Sequence, residues 1–184
     1  MVGISSGIKK IKKGGDYMKE VNSMVFFWGK DDPFSNFYYT PFKHKNILFK
    51  WSEQAVMYEK AMLFGATQVA KEILRAPTPQ ACKQLGRSKK IAFNQGVWDE
   101  QKETIYFDVL RSKFSNPKLK KVLLETNDKL LAEASPYDKI WGIGYAWDHP
   151  NALYPDRWKG QNLLGKVLMD VRETLKVNAE GNVE

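Results

Sequence analysis

A carboxylate and an amine lie two helical turns apart in one predicted helix, and both side chains could take part in acid–base chemistry. The helix is predicted to begin at Glu53 with Ser52 as its N-cap, and at about 3.6 residues per turn Glu53 and Lys60 fall on one line. The positive end of the helix dipole favours an ionised carboxylate in the first turn, whereas burial beside Trp51 would raise its pKa. Glu53 is therefore a candidate acid–base group, and the alternative is a favourable charge on a solvated face.

A second carboxylate lies in an aromatic and glycine-rich segment, residues 136–148. Asp138 precedes Trp141, so a carboxylate is placed near a side chain on which a planar ligand can stack. Gly142 and Gly144 allow close backbone approach or a positive φ, but without a strand–turn–helix context they are not a dinucleotide-binding fingerprint. Asp138 could equally close the turn in its own segment.

Two other segments carry side chains that could bind a ligand. In the turn-rich loop 31–38, polar Ser35 and Asn36 lie next to Phe37, which is typical of a loop that either fills the core or lines a pocket. A basic run begins at Arg87, after a predicted helix. Its guanidinium could bind a phosphate, and the alternative is a solvated run of charges that complements the helix dipole.

The composition is that of a globular protein with a basic surface. The 184 residues are 43% hydrophobic and 13% aromatic, and the net charge of +8 with a pI near 9.4 favours polyanionic or phosphorylated ligands. One cysteine and two histidines exclude an intrachain disulfide and predict no metal site. The sequence shows neither a secretory signal nor an apolar run long enough to span a membrane, so we expect a cytoplasmic protein with no membrane partner.

The predicted architecture is one domain between two short ends. Residues 1–22 lack apolar periodicity and are predicted to be a flexible basic leader, residues 23–178 a single domain and residues 179–184 a frayed tail. Two β-prone runs, 24–28 and 46–50, could pair with each other as strands.

Helical patterns dominate the rest of the chain. After the helix that begins at Glu53, further helices are predicted over 67–75, from Pro79 with Thr78 as cap and Gly86 just beyond the end, from Asp99 as cap to Phe114, from Asn116-Pro117 onward, and over 161–176. The run 129–135 fits either a strand or a helix end, because a short apolar run does not separate the two.

Six segments, in order and with consistent spacing, resemble the NADAR family, which includes the riboflavin-biosynthesis-intermediate N-glycosidases. They are Phe34-Ser35-Asn36-Phe37, Ser52-Glu53-Gln54 through Lys60, Leu85-Gly86-Arg87, Trp98, Asp138 through Gly144, and Gly160 through Gly165 continuing to Arg172. Together they span roughly residues 25–176. One position departs from the family: after the glutamate, where histidine is frequent, this chain has Gln54.

The resemblance implies an α+β fold that is predominantly α-helical, with a few short N-terminal strands and a Gly-rich strand or loop. It also implies hydrolysis of the N-glycosidic bond of a phosphorylated ribosyl or ADP-ribosyl substrate. That substrate would be ADP-ribose on guanine, in a nucleotide or in DNA or RNA, or a ribosylamino intermediate of riboflavin biosynthesis. Such a reaction has an oxocarbenium-like transition state and is expected to need no metal and no cofactor.

The same resemblance implies roles for the candidate residues. Glu53 would be the acid–base group, and Asp138 a second carboxylate that orients ribose hydroxyls or water. Lys60 and Arg87 would bind phosphate, and Lys60 could instead form a Schiff base with an opened ribose. The remaining substrate-binding candidates are Ser35, Asn36, Phe37, Trp98, Trp141, Gly142, Gly144 and Asn162.

Simpler interpretations stay open. Trp98 could be a packing residue before a helix cap, and Asn162 could be a cap of the final helix. At the level of the whole protein, the alternatives to an N-glycosidase are a non-catalytic ADP-ribose or nucleic-acid binding module, which the charge and the aromatic content favour, and an all-helical adaptor with Glu53 on an open face.

Overall fold

The structure is a computed structural model. It describes residues 9–10 and 18–180, with side chains from residue 18 to residue 177. The chain forms two compact units: the first comprises Met1–Ser35 and Val122–Glu184, and the second comprises Asn36–Lys121. The single domain over 23–178 stays a prediction.

Short strands and longer helices alternate along the described residues. The strands are β1 (Lys9–Lys10), β2 (Lys19–Val21), β3 (Met24–Phe27), β4 (Phe42–His44), β5 (Ile47–Phe49) and β6 (Leu130–Glu133). The helices are α1 (Ser52–Leu63), α2 (Thr67–Arg75), α3 (Pro79–Leu85), α4 (Gln95–Lys113), α5 (Pro117–Leu124) and α6 (Leu163–Glu180), with 3-10 turns at Pro150–Leu153 and Pro155–Arg157. None of the helices in this described part is long and apolar enough to cross a membrane.

A four-stranded sheet in the order β1-β2-β3-β6 forms the first unit. The β3 strand is antiparallel to β2 and parallel to β6, with Met24 opposite Leu130. Three consecutive residues of β3 are buried, as expected for a strand covered on both faces, and α6 packs against β6. Of the two alternatives left open for residues 129–135, a strand or a helix end, the structure therefore has the strand.

The predicted pairing of runs 24–28 and 46–50 is wrong. In the second unit β5 instead pairs with β4 in a hairpin, with Phe42 opposite Phe49. Lys45 and Asn46 connect the two strands at φ values of +47° and +65°, the positive pair that a two-residue hairpin turn requires. Because that local turn determines the register, β5 has its partner close in the sequence.

Helix α1 is the centre of the second unit, where it packs against α2, α3 and α4. It begins one residue earlier than predicted, with Trp51 as the N-cap residue. The predicted capping role of Ser52 is wrong: its hydroxyl donates to Asn36 Oδ1 at 3.0 Å, so a tertiary hydrogen bond replaces a local one. The start of α3 is confirmed, because Thr78 accepts from the Ala81 N–H and Pro79 is the first helical residue.

The start of α4 also differs from the prediction. Asn94 is its cap, and the Asn94 Oδ1 accepts from the Val97 N–H at 3.1 Å. Asp99 lies inside the first turns, where its carboxylate accepts from Gln95 and Lys102. Asp and Asn are both good caps, so sequence preference alone did not identify which of the two begins the helix.

The predicted ends of the chain fall partly outside the described residues. Strands β1 and β2 lie within the segment 1–22, and β2 belongs to the sheet through its pairing with β3. Helix α6 continues to Glu180, beyond the predicted end at residue 176. The rest of the predicted leader and residues 181–184 of the predicted tail are not among the described residues.

Asn162 joins the segment before α6 to the β6 strand. It is 1% exposed, its Oδ1 accepts from the Glu133 N–H at 3.0 Å, and its Nδ2 donates to the Leu131 carbonyl at 2.8 Å. Its φ is +53°, a conformation that asparagine tolerates better than most residues. Because both ends of the side-chain amide bind β6, Asn162 has a structural role, and its contact with a substrate stays a prediction.

Replacing Asn162 by alanine is expected to destabilise the protein strongly. Asn162→Ala leaves a buried N–H and a buried carbonyl of β6 without partners. Asn127→Ala is the matched control, because Asn127 also has a positive φ of +49° but its side chain makes only an exposed hydrogen bond of 3.4 Å to Glu125. In urea denaturation, the free energy of unfolding should fall about 2–4 kcal/mol further for Asn162→Ala than for Asn127→Ala. Equal losses would show that only backbone strain matters at Asn162.

Candidate active site

Glu53 and Lys60 lie on one line of α1 as predicted, and the N-terminal end of that line is buried. Glu53 is 4% exposed and Met57 is 7% exposed, while Lys60 is half-buried. The interpretation of Glu53 as a charge on a solvated face is therefore wrong. A carboxylate removed from water is costly unless charges or hydrogen bonds compensate it, so its surroundings determine what it can do.

Asn36 holds the N-terminus of α1 and thereby the backbone of Glu53. The Asn36 backbone carbonyl accepts from the Glu53 N–H at 3.0 Å, and the Asn36 Oδ1 accepts from the Ser52 hydroxyl. Asn36 is 8% exposed. The side chain that the sequence assigned to the sugar thus has a positioning role for the candidate acid–base residue.

Gln54 fixes the rotation of α1 about its axis. Its Oε1 accepts from the Lys50 N–H at 2.9 Å, and its Nε2 donates to the backbone carbonyls of Ile73 at 3.0 Å and Leu74 at 3.2 Å. Both carbonyls belong to the last turn of α2. Gln54, where this chain departs from the family pattern, therefore connects α1 to α2. Because Glu53 is the preceding residue, this connection also sets the direction in which the Glu53 side chain leaves the helix.

The end of α3 approaches the same line of α1 because residue 86 is glycine. A Cβ at Gly86 would lie 2.2 Å from the Met57 sulfur and 2.9 Å from its Cγ, so any larger residue would require the Met57 side chain to move. Arg87 follows immediately and is exposed, and its positive charge lowers the pKa of Lys60. The Gly86-Arg87 pair thus brings a guanidinium into the electrostatic environment of Lys60.

Lys60 lies against aromatic rings. Its Nζ is 4.4 Å from the ring centroid of Phe93 and 5.2 Å from that of Trp98, and Phe93 in turn makes an edge contact with Phe64. Burial is the largest cause of a lowered Lys60 pKa, the charge of Arg87 lowers it further, and the charge of Glu53 opposes both. The amine is therefore more readily deprotonated than that of an ordinary surface lysine.

The aromatic residues around Lys60 differ from those predicted to stack on a base. Trp98 is 9% exposed and lies within α4, so its ring contacts Lys60 but offers little free surface, and the predicted position before a helix cap is wrong. Phe93, which the sequence did not single out, is 44% exposed. Phe37 is half-buried with the Lys83 amine 5.8 Å from its ring centroid. The exposed ring beside the lysine is thus Phe93.

Cys82 is a buried thiol whose pKa responds to Glu53. The thiol is fully buried, and burial followed by the negative charge of Glu53 raises the Cys82 pKa to about 12. The Cys82 thiol lies 3.9 Å from the Ile73 carbonyl, in the same part of α2 that Gln54 binds. Cys82 is therefore a packing residue and not a nucleophile at neutral pH.

In the first unit, Asp138 closes its own loop. Its Oδ1 accepts from the N–H groups of Ile140 at 2.9 Å and Trp141 at 2.8 Å, while the Asp138 N–H donates to the Ser135 hydroxyl at 3.1 Å. The turn-closing alternative describes this geometry, and it fixes the backbone that carries half-buried Trp141. Ser35, another predicted site residue of the first unit, is buried, with 7% exposure.

Gly142 and Gly144 combine the two backbone features that glycine allows. A Cβ at Gly142 would lie 2.9 Å from the Ser135 Cβ and 3.0 Å from the Glu133 carbonyl, and Gly144 has a φ of +74°. Gly142 thus lies against Glu133 at the end of β6 and against Ser135 in the following loop, so packing alone accounts for the glycine there. Contact of either glycine with a substrate stays a prediction.

The second unit thus brings together the candidate acid–base carboxylate, an amine of lowered pKa, a guanidinium and aromatic rings, and the first unit holds Asp138, Trp141 and the glycines. Over the residues with described side chains, no group of three or more His, Cys, Asp or Glu residues is arranged to hold a metal ion. The chemistry available in the second unit is proton transfer, amine nucleophilicity and anion binding.

The model of the NADAR domain family matches residues 26–176 of this chain. N-glycosidase R617 of Acanthamoeba polyphaga mimivirus is 46% identical over 123 residues, which cover 66% of this chain and 72% of that protein. Protein irg-1 of Caenorhabditis elegans is 35% identical over 182 residues, which cover 89% of this chain and 86% of that protein.

A solved structure is also similar. The NMR structure of the Escherichia coli protein YbiA superposes with a TM-score of 0.72 at 27% sequence identity, covering 88% of this chain and 89% of YbiA. In sequence comparison N-glycosidase YbiA of that organism is 30% identical over 160 residues, or 85% of this chain and 91% of the relative. The similarity confirms the predicted α+β, predominantly helical fold class.

Two substitutions should move the Lys60 pKa in opposite directions. Arg87→Gln removes a positive charge and is expected to raise it, whereas Glu53→Gln removes a negative charge and is expected to lower it. The Lys60 side-chain signals can be followed through a pH titration by NMR in protein labelled at lysine. Lys83→Gln, which removes a lysine charge that is not among the causes of the Lys60 shift, is the control. Shifts of the same sign in both test variants would contradict the proposed electrostatics.

Proposed function

We propose a reaction for this chain from one premise: it belongs to the NADAR domain family and is an N-glycosidase. The proposed reaction is hydrolysis of the N-glycosidic bond of a phosphorylated ribosyl or ADP-ribosyl substrate. The observation that carries it is the buried Glu53 on α1, on the same line of the helix as Lys60 and within the electrostatic reach of that amine. Similarity to relatives named N-glycosidases supports the reaction class.

Glu53 would act as the acid–base group. Cleavage breaks the bond between the anomeric carbon and the leaving nitrogen through an oxocarbenium-like transition state, and water supplies a hydroxyl to the carbon and a proton to the nitrogen. A carboxylate near the sugar stabilises the developing positive charge and can take the proton of the attacking water. General acid–base catalysis of this kind contributes about 10²–10⁴-fold to the rate.

Arg87 and Lys60 would bind the phosphate of the substrate. A guanidinium presents two parallel donors to a phosphate, and an ammonium serves as a point charge. The exposed position of Arg87 and its electrostatic effect on Lys60 support this assignment, and a bound phosphate would in turn raise the Lys60 pKa. Exposed Phe93 would contribute a ring on the same side.

The lowered pKa of Lys60 favours a second role for its amine. A neutral amine can attack the anomeric carbon of the ring-opened substrate, so that a carbon–nitrogen bond to Lys60 forms, the bond to the leaving nitrogen breaks and the base departs with a proton. Water then hydrolyses the resulting Schiff base, which releases the sugar as its aldehyde and regenerates the amine. Reduction with borohydride during turnover would trap this species as a substrate-sized mass increase on the peptide that contains Lys60. If the trapped mass is absent while product forms, Lys60 is assigned to phosphate binding alone.

The remaining candidates are proposed as follows. Ser35, Phe37, Trp141, Gly142, Gly144 and Asn162 stay proposals for substrate contact. Asn36 and Asp138 are proposed as positioning residues because their side chains accept hydrogen bonds from Ser52 and from the protein's own backbone. Both substrate classes, the nucleobase-linked ADP-ribose and the riboflavin-pathway ribosylamine, contain the bond in question. The competing reading is an ADP-ribose or nucleic-acid binding module without turnover.

Glu53→Gln is expected to lower kcat/KM by about 10²–10⁴-fold while leaving the protein folded, because the amide keeps the shape of the side chain but cannot transfer the proton. Release of free base is measured by chromatography and mass spectrometry with ADP-ribosylated guanosine, ADP-ribosylated DNA and a ribosylamino-pyrimidine phosphate as substrates. Glu59→Gln is the matched control, since Glu59 lies on the same helix but pairs with Lys45 and His44.

The outcomes separate the hypotheses. Loss of product with Glu53→Gln but not with Glu59→Gln supports catalysis by Glu53, and the substrate that releases its base identifies the class. Folded parent protein that binds a substrate but releases no base from any of the three would favour the binding module. Equal activity of parent and Glu53→Gln would remove Glu53 from the mechanism.

A further inference from the structure

Two aromatic side chains of the first unit are exposed and adjacent. Tyr137 is 85% exposed and Trp28 is 50% exposed, and their ring centroids are 6.5 Å apart with an angle of 48° between the ring planes. Large aromatic side chains usually stabilise a fold by burial, and these two contribute little in that way. A tilted pair of exposed rings is instead suited to bind a planar ligand from solvent.

The two rings meet because of the sheet topology. Trp28 directly follows β3, and Tyr137 lies in the loop that follows β6. Since β3 and β6 are adjacent and parallel, both rings extend from the carboxyl-terminal edge of the same strand pair. That edge is where parallel sheets commonly place their ligands.

The backbone under both rings is well ordered by hydrogen bonds. The Ala134 N–H donates to the Phe27 carbonyl at 2.9 Å and so continues the β3–β6 pairing up to the two loops. Asp138 closes the loop beside Tyr137 through the Ile140 and Trp141 N–H groups. After Trp28 the chain turns at Gly29, whose φ of +98° favours glycine. Pre-ordered rings lose little conformational freedom when a ligand stacks on them.

The charge of the chain favours a polyanion as the occupant. Exposed Lys30 and Lys139 each lie two residues from one of the rings, and exposed Asp31 partly offsets them. The whole chain carries a net charge of +8, so a second copy would be repelled while a nucleic acid would be attracted. Aromatic rings flanked by lysines are the combination that binds single-stranded nucleic acid, by stacking on bases and by attraction of phosphates.

We propose that Trp28 and Tyr137 form a stacking site for a nucleobase of single-stranded nucleic acid. The link to catalysis rests on the proposed function: the bound strand would carry the N-glycoside that the protein cleaves. A strand held at this site would favour a polymeric substrate over the free nucleoside. No base-specific hydrogen bond is required, so the site would accept any base sequence.

The test is binding of a fluorescein-labelled oligothymidylate of about a dozen nucleotides, followed by anisotropy at a fixed, moderate salt concentration. Trp28→Ala and Tyr137→Ala are each expected to weaken binding about 10-fold, as for the loss of one stacking ring. Trp28→Phe and Tyr137→Phe keep a ring and should retain most of the affinity. Leu48→Ala, which truncates a 63% exposed apolar side chain on β5, should bind like the parent. Tyr137→Ala, at the 85% exposed side chain, decides the result if Trp28→Ala does not fold.

Three outcomes would overturn the stacking site: no binding of the oligonucleotide by the parent, unchanged binding by Tyr137→Ala, or an equal loss with Leu48→Ala. Base release from the free ribosyl substrates is measured on the same proteins and should be unchanged in the alanine variants. A parent that binds the strand but releases no base from any substrate would sink the proposed function and leave the stacking site standing. A parent that releases base but binds no strand would overturn the stacking site and leave the proposed function standing.

Discussion

The burial of a carboxylate in the first turn of α1 is the constraint on which the second unit depends. Glu53 is nearly inaccessible to water, and a buried charge is tolerated only where the surrounding groups are held in place. Asn36 binds the backbone of this turn, and Gln54 binds the end of α2. Asn36 binds Ser52 and Glu53, and Gln54 is the next residue, so a rotation of α1 that moved the acid would also break these hydrogen bonds.

The same constraint determines the properties of Lys60. Burial and Arg87 lower the Lys60 pKa, Glu53 raises it, and the net effect is a pKa below that of an ordinary lysine. The residue that precedes Arg87 is packed tightly, because a side chain at Gly86 would collide with the Met57 side chain. Gly86 therefore contributes to the electrostatics of the candidate site only indirectly, by allowing the close packing of the segment that carries Arg87.

The sequence predicts those features that depend on neighbours along the chain. The α3 helix has its cap, its first proline and its final glycine within ten residues, and the Glu53–Lys60 line follows from helical periodicity. Pairing of β3 with β6 joins residues far apart in sequence, and two short apolar runs of similar composition gave no means to choose between partners. The caps of α1 and α4 were each misplaced because Ser52 bonds to Asn36 and because two good caps lie near each other. Phe93 and Trp28 were not predicted as exposed rings, because only the fold places Phe93 beside Lys60 and Trp28 beside Tyr137.

Gln54 shows how a departure from a family pattern can be interpreted physically. The position uses one acceptor, toward the Lys50 N–H, and donors toward two carbonyls of α2. A glutamine amide supplies both functions at once and does not titrate, whereas a neutral histidine has one donor and one acceptor and gains charge near neutral pH. With glutamine, the attachment of α1 to α2 is the same at every pH that the protein meets. Changes of activity with pH are then left to the groups that could do the chemistry, Glu53 and Lys60, and not to the anchor that holds them.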